Sequence, residues 1–418
     1  MMWQPADSTI AARVDEGAAV TVTTEDVYFD LYDRALYANP YPMYRRLRDH
    51  APLFHNEAQG FYAVSRAEDV ARVLSDRDTF SSARGGVYQI VAAKVDMPEG
   101  LFIAEDPPRH TIHRALVSRL FTPRQIGRIE PQIKELFEDA AEALVGAARF
   151  DFVKDFANML PIQVIGMLLG LPSADYASLR AAFHHSQNEG TADPERGALD
   201  GIAEAARWFT AYLDERATTP RDDLMTELLN AEFLDENGTR RRLRREELLT
   251  FLILITGAGS DTTVNAISWA ASLLGDHPDQ RSLLVQDPTL VPNAVEEVLR
   301  YESVSYHIAR TLTTDVVVHG HTVPQGSMIL TLPGSANRDE RLHSDPDTFD
   351  ITRRPGQIFT LSFGPHYCLG ASLARLETRL AIEAVIERFP NWTVDHEAAE
   401  LTSGIDTRGW DHLPVEIE

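Results

Sequence analysis

The stretch 245 to 275, REELLTFLILITGAGSDTTVNAISWAASLLG, most restricts how this chain folds. About 30 residues of helix reach ~45 Å, the width of a whole domain. The segment is apolar nearly all round from Leu248 to Ile255, so it must run through the core. A fold built round such a rod is mainly helical, and the rest of the chain agrees. Pro punctuates both ends of NPYPMYRRLRDHAP. Further helices are expected at about 67–76, 109–120, 124–147, 158–171, 195–218, 289–302 and 369–388. FYAVSR alternates like a short strand, and DVVVHGHTVPQGSMILTLP carries β-branched runs with a turn. Residues 334–360 read as a long irregular segment, which in a compact domain is functional or well pinned. The expected class is mainly α with small β-sheets. Residues 1–25 are expected to be a flexible lead-in and 26–418 one domain.

A formal charge of −24 argues against a nucleic-acid backbone as partner. One cysteine excludes an intramolecular disulfide framework and fits a reducing, cytoplasmic setting. The N-terminus lacks a basic region followed by an apolar stretch, and no run of 18 apolar residues occurs. Neither a signal peptide nor a membrane anchor is therefore expected.

The cysteine lies in LSFGPHYCLGASLARLE. A lone cysteine is most often a small buried hydrophobe. Here Leu369, Leu373, Leu376 and Leu380 repeat at helical spacing, so a helix starts just after Cys368. Its free N–H groups favour a thiolate there. Gly364 and Gly370 let backbone or a flat ligand come close. A thiolate with such clearance suits an axial ligand of haem iron better than a redox pair.

Within the long helix, AGSDTT places two glycines, an acid and hydroxyls in an apolar segment. Glycines cost roughly 1 kcal/mol each there, and the polar groups cost more unless partnered. Either the helix is loosened and satisfies them locally, or it forms a kinked groove in which Asp261 and Thr262 relay protons. In EEVLRYES, Glu297 and Arg300 are spaced for an ion pair, usually a surface feature. In DPPRHTIHR, His110 and Arg114 share a helix face and suit an anionic cofactor better than a metal. Arg310 is a further candidate cation.

DPPRHTIHR, AGSDTT, EEVLR, ANRDE, FDITR and HYCLG occur in the order found in the cytochrome P-450 family of haem-thiolate monooxygenases. The chain resembles the soluble bacterial type over residues 26 to 418. The resemblance implies a single-domain cytochrome P-450 fold, with haem between the long central helix and the cysteine-loop helix. It implies haem b, with Cys368 as the axial iron ligand and Gly370 beside it. His110, Arg114, Arg310 and His366 would hold the propionates. Ala258 and Gly259 would form a groove against the haem on the oxygen side, with Asp261 and Thr262 the acid and alcohol of oxygen activation. Glu297, Arg300 and Arg353 would form an internal ion-pair network.

The expected reaction inserts one atom of O2 into a C–H bond of a small apolar substrate, such as a terpenoid, steroid, fatty acid or aromatic. Substrate-facing positions would fall near 83–101, 183–190, 253–262, 303–310 and 403–410, where Tyr306 and His307 offer hydrogen bonds. Electrons would come from a ferredoxin and its NAD(P)H-dependent reductase, docking on Arg114, Arg119, Arg124, Arg375 and Arg379. The expected enzyme is a monomer. Competing readings are a haem-thiolate peroxygenase, an atypical coupling enzyme, and a non-catalytic haem- or lipid-binding scaffold.

One departure stands out. The family reads Phe-Gly-x-Gly-x-His-x-Cys-x-Gly. Here Leu361 and Ser362 stand at the Phe and Gly positions, or else Phe363 and Gly364 are that pair with two residues deleted. A shortened loop would leave the thiolate easier to protonate.

Overall fold

The computed structural model describes residues 27–185, 194–221 and 224–418. The expected lead-in at 1–25 and most of the stretch 183–190 lie outside the described residues. The helices that position the site are α1 (Ala67–Ser75), α2 (Tyr88–Ala93), α3 (Arg109–Ser118), α4 (Pro123–Glu142), α5 (Leu160–Leu169), α6 (Tyr176–His185), α7 (Arg245–Asp276), α8 (Val291–Tyr301) and α9 (Ala371–Arg388).

The long helix forms as expected. Glu247 accepts from the Arg244 amide at 2.7 Å, a capping box that fixes its start. Beyond Ser260 it is buried almost without interruption as far as Leu274, and α5, α8 and α9 pack against it. Gly275 lets Trp392 and Val394 close on its end, where a Cβ would lie 2.7 Å from a Val394 methyl. Two helical stretches, Phe152–Leu169 and Arg245–Asp276, are long and apolar enough to cross a membrane by length and composition. Both are mostly buried within the fold, as core helices are.

A five-stranded sheet lies to one side, made of β1 (Leu53–Asn56), β2 (Phe61–Val64), β3 (Phe80–Ser81), β4 (Ile308–Leu312) and β5 (Met328–Thr331). The order is β1-β2-β5-β4-β3, with only the β2–β5 pairing parallel. The irregular stretch 334–360 is pinned rather than loose. Arg300 donates to the carbonyls of Asn337, Pro346 and Thr348, and Arg353 to those of Ser344 and Asp345.

Candidate active site

The end of the irregular stretch leads into the cysteine loop. The Cys368 amide donates to the Leu361 carbonyl at 2.8 Å, closing a turn. Ser362 sits at φ 63° and Gly364 at φ 70°, both left-handed. Left-handed backbone is where glycine is the natural residue, so Ser362 occupies the glycine position of the family pattern and Leu361 the Phe position. The expectation of a shortened loop is corrected: the loop has full length with two substitutions. Leu361 is buried, while Phe363 packs edge-on against Phe359. Gly364 answers to a close backbone approach, since a Cβ there would lie 2.7 Å from the Leu74 carbonyl oxygen of α1.

Cys368 lies just before Gly370, the N-cap of α9. Burial pushes its thiol pKa up, against the Gly370 amide and the charges of Arg114 and Arg375. Gly370 itself is open, with a Cβ meeting nothing nearer than a Phe121 ring carbon at 4.0 Å.

Four basic groups from three elements converge beside this cysteine. His110 and Arg114 come from α3, His366 from the cysteine loop and Arg310 from β4. The His110 and His366 rings lie 4.0 Å apart, and Arg114 donates to the Tyr367 carbonyl at 2.5 Å. Neither ring nitrogen of His110 has a hydrogen-bond partner among the described residues. Arg310 is 3% exposed, donates to the Ala309 carbonyl and makes no ion pair among the described residues. Burial and then the Arg114 charge lower the His110 pKa to about 4. Burial, Arg310, His110 and Arg114 lower that of His366 to about 2. Burial lowers Arg310 to about 10, with Asp106 opposing. Such a cluster, buried and short of counter-charge, fits a group that brings its own carboxylates.

On α7 the outcome differs from the kinked groove. The helix is unbroken, and the hydroxyls of Ser260, Thr262 and Thr263 donate to carbonyls one turn back. Ala258 and Thr262, one turn apart, keep the more open face. Gly259 does not belong to that face. Its open side is turned to α5, where a Cβ would stand 2.9 Å from the Ile165 Cδ1, so this glycine serves helix packing. Asp261 is buried and forms an ion pair with Arg180 of α6, whose Nε donates to Asn158 at 2.8 Å. Sequence reasoning missed Arg180. A single arginine in the otherwise apolar-patterned YASLRAAF was the available signal.

The Glu297–Arg300 pair is no surface feature. Both side chains are 0% exposed, with two contacts of 2.7 Å, and Arg353 adds a third at 3.3 Å. Two of the five proposed docking arginines are also held by carboxylates, and Arg114 donates to the Tyr367 carbonyl. Arg375 bonds Glu296 and Tyr367, and Arg379 bonds Glu130 and Glu383. Arg119 is exposed and only 3.9 Å from Glu227. Tyr306 and His307 do not face outward for a substrate. Tyr306 is 1% exposed among Phe29, Tyr37 and Tyr44, and His307 is 2% exposed.

The comparisons with known proteins agree with this architecture. The family profile described as Cytochrome P450 matches residues 202–405. Putative cytochrome P450 123 of Mycobacterium tuberculosis is 38% identical over 96% of this chain and 99% of its own length. The vitamin D(3) 25-hydroxylase of Pseudonocardia autotrophica is 34% identical over 94% of this chain and 97% of its own. The structure of CYP109E1 from Bacillus megaterium in complex with corticosterone superposes with a TM-score of 0.81 at 28% identity, covering 92% of this chain and all of that one. The chain belongs to the cytochrome P450 family and has its single-domain fold. It is a haem-thiolate monooxygenase, and the family implies haem with a cysteine thiolate ligand.

Proposed function

We propose that residues 26–418 form one haem domain in which Cys368 supplies the axial thiolate to the iron of haem b. His110, Arg114, Arg310 and His366 would bind the two propionates, with Ala258 and Gly370 leaving clearance for the ring. The observation that carries this reading is the buried basic cluster: two His110 nitrogens without partners and an Arg310 without an ion pair among the described residues, beside the sole cysteine of the chain. Thiolate-ligated haem supplies activation of O2 for insertion into a C–H bond.

The chain's own residues manage protons and water. The Thr262 hydroxyl, now donating to the Ala258 carbonyl at 2.7 Å, is the donor on the open face of α7. Asp261 is the acid behind it, oriented by Arg180. The substrate is a small apolar molecule, and the names of two relatives above favour a steroid-like one. Electrons come from a ferredoxin and its NAD(P)H-dependent reductase, in the cytoplasm. Arg119 is the cleaner probe of docking, because Arg379 is held by two carboxylates.

Thr262→Ala tests the proton assignment. With corticosterone as test substrate, product formed per NADH should fall several-fold while the carbon monoxide spectrum stays normal. Unchanged coupling would overturn the role given to Thr262.

A further inference from the structure

The loop from Ser82 to Asp106 is clasped at its neck. Ser81 Oγ lies 2.5 Å from Asp106 Oδ2, and the Ser82 amide donates to Oδ1 at 2.8 Å. One end leaves β3, which pairs with β4, the strand of Arg310; the other enters α3, which carries His110 and Arg114. The loop therefore borders the basic cluster on both sides.

Its far limb is fixed by a hydrogen bond, an exposed ion pair and a backbone contact. Glu105 bonds His113 Nδ1 at 2.8 Å, Glu99 pairs with Arg244, and Gly100 at φ 89° lies directly on the first turn of α7 at Glu247. Between the limbs, residues 92–99 are exposed apart from a half-buried Met97.

The near limb contains α2, and its N-terminus has no cap from its own N-cap residue Val87. The cap comes from elsewhere. The Tyr88 amide donates to His307 Nε2 at 2.9 Å. Next to it the Ala309 amide donates to the Gly86 carbonyl at 2.8 Å. Gln89, with its amide nitrogen turned toward Asp406, donates to that carboxylate at 2.6 and 3.1 Å. His307 thus joins three separate stretches of chain: α2, the entry to β4, and the segment at 405–406. Burial lowers the His307 pKa to about 4, so the ring is neutral; its Nε2 accepts from the Tyr88 amide and also lies 3.4 Å from Asp406 Oδ1. The proton then sits on Nδ1, and the Ile405 backbone lies against the ring.

We propose that His307 is a positioning residue that controls substrate entry, its Nε2 holding α2 and the loop 83–105 against the sheet. The proposal rests on the haem-thiolate reading of the neighbouring site. Control falls on the near limb because the start of α2 has no cap of its own and its Tyr88 amide has His307 Nε2 as acceptor, beside the Gly86–Ala309 and Gln89–Asp406 contacts.

The test uses the holoenzyme with two haem-binding probes, imidazole and the bulkier 4-phenylimidazole, together with amide hydrogen exchange over 86–93. In His307→Leu, exchange at Tyr88 should quicken on the order of 10-fold, the worth of one net hydrogen bond. Association of 4-phenylimidazole should rise several-fold while that of imidazole stays put. In His307→Gln, whose Oε1 can accept in place of Nε2, both should return toward wild type. Unchanged exchange and unchanged 4-phenylimidazole kinetics in His307→Leu would overturn the proposal. Equal disturbance in the Leu and Gln variants would also do so, since it would mark a merely structural residue. If His307→Leu does not fold, Gln89→Leu must shift the same two readouts in the same direction, and no shift there overturns the proposal. If the wild type itself lacks the thiolate carbon monoxide band, the haem-thiolate reading fails instead.

Discussion

Arg300 and Arg310 are both buried, at 0% and 3% exposure, yet their surroundings are opposite. Arg300 meets two oxygens of Glu297 at 2.7 Å and three backbone carbonyls. Arg310 has the Ala309 carbonyl and no ion pair among the described residues. A buried charge costs several kcal/mol unless it is paired. The Arg300 region meets that cost from within the chain and so belongs to the scaffold. The Arg310 region leaves it open and so is built for something that brings negative charge. The difference separates structure from binding site among residues that look alike in sequence.

The largest effect that could break this contrast is on the scaffold side. Glu297→Gln leaves Arg300 buried without its counter-charge and should cost about 3–5 kcal/mol of stability, read as a lower urea midpoint. A loss under 1 kcal/mol would mean the network is not structural.

Protonation sharpens the contrast next. The His307 pKa is lowered by burial to about 4, against ~6.5 in an unfolded chain. The unfolded chain binds the extra proton first as pH falls, so this contribution is complete above about pH 6.5 and is lost progressively down to about pH 4. That loss is about 3 kcal/mol, and His307→Gln should remove that part of the pH dependence. His110 is lowered to the same value by burial and Arg114. It should lose its pH dependence when bound carboxylates stabilise its charged form, whereas His307 should not. Unfolding curves of the haem-free and haem-bound protein between pH 4 and 7 distinguish the two.

Arg310→Leu is a reversed case. In the haem-free protein it should leave stability unchanged or improve it, because it removes an uncompensated charge. Haem affinity should fall about 10-fold or more, from loss of a charge-assisted contact. Equal destabilisation of both forms would place Arg310 with the scaffold. The smallest effect concerns the cysteine loop. Ser362 holds φ 63°, a conformation costing roughly 1 kcal/mol for a residue with a Cβ, so Ser362→Gly should raise stability by about that much. A loss of stability would mean the serine hydroxyl contributes more than the strain costs.

The sequence made the scaffold legible where periodicity and spacing are strong. The long helix was expected at 245–275 and runs Arg245–Asp276, and the cysteine helix begins at Ala371. The basic groups near Cys368 could be named because each sits in a recognisable stretch. What spacing cannot show is which side of a helix a residue takes. Gly259 belongs to the α5 contact, and the AGSDTT hydroxyls are satisfied inside an unbroken helix. Partners distant in sequence were equally hidden. Arg180 meets Asp261 across 81 residues, and His307 meets Tyr88 across 219. The loop register was open because two alignments fit the same letters, and the positive φ at Ser362 decided between them.

The central claim is that Cys368 and the buried cations form a thiolate haem site. The most direct measurement is the carbon monoxide difference spectrum of the dithionite-reduced protein, beside that of Cys368→Ala. The account predicts the red-shifted Soret band of thiolate-ligated haem in the wild type and its loss in the variant. A wild-type protein that carries no haem, or a variant that keeps the red-shifted band, would contradict it.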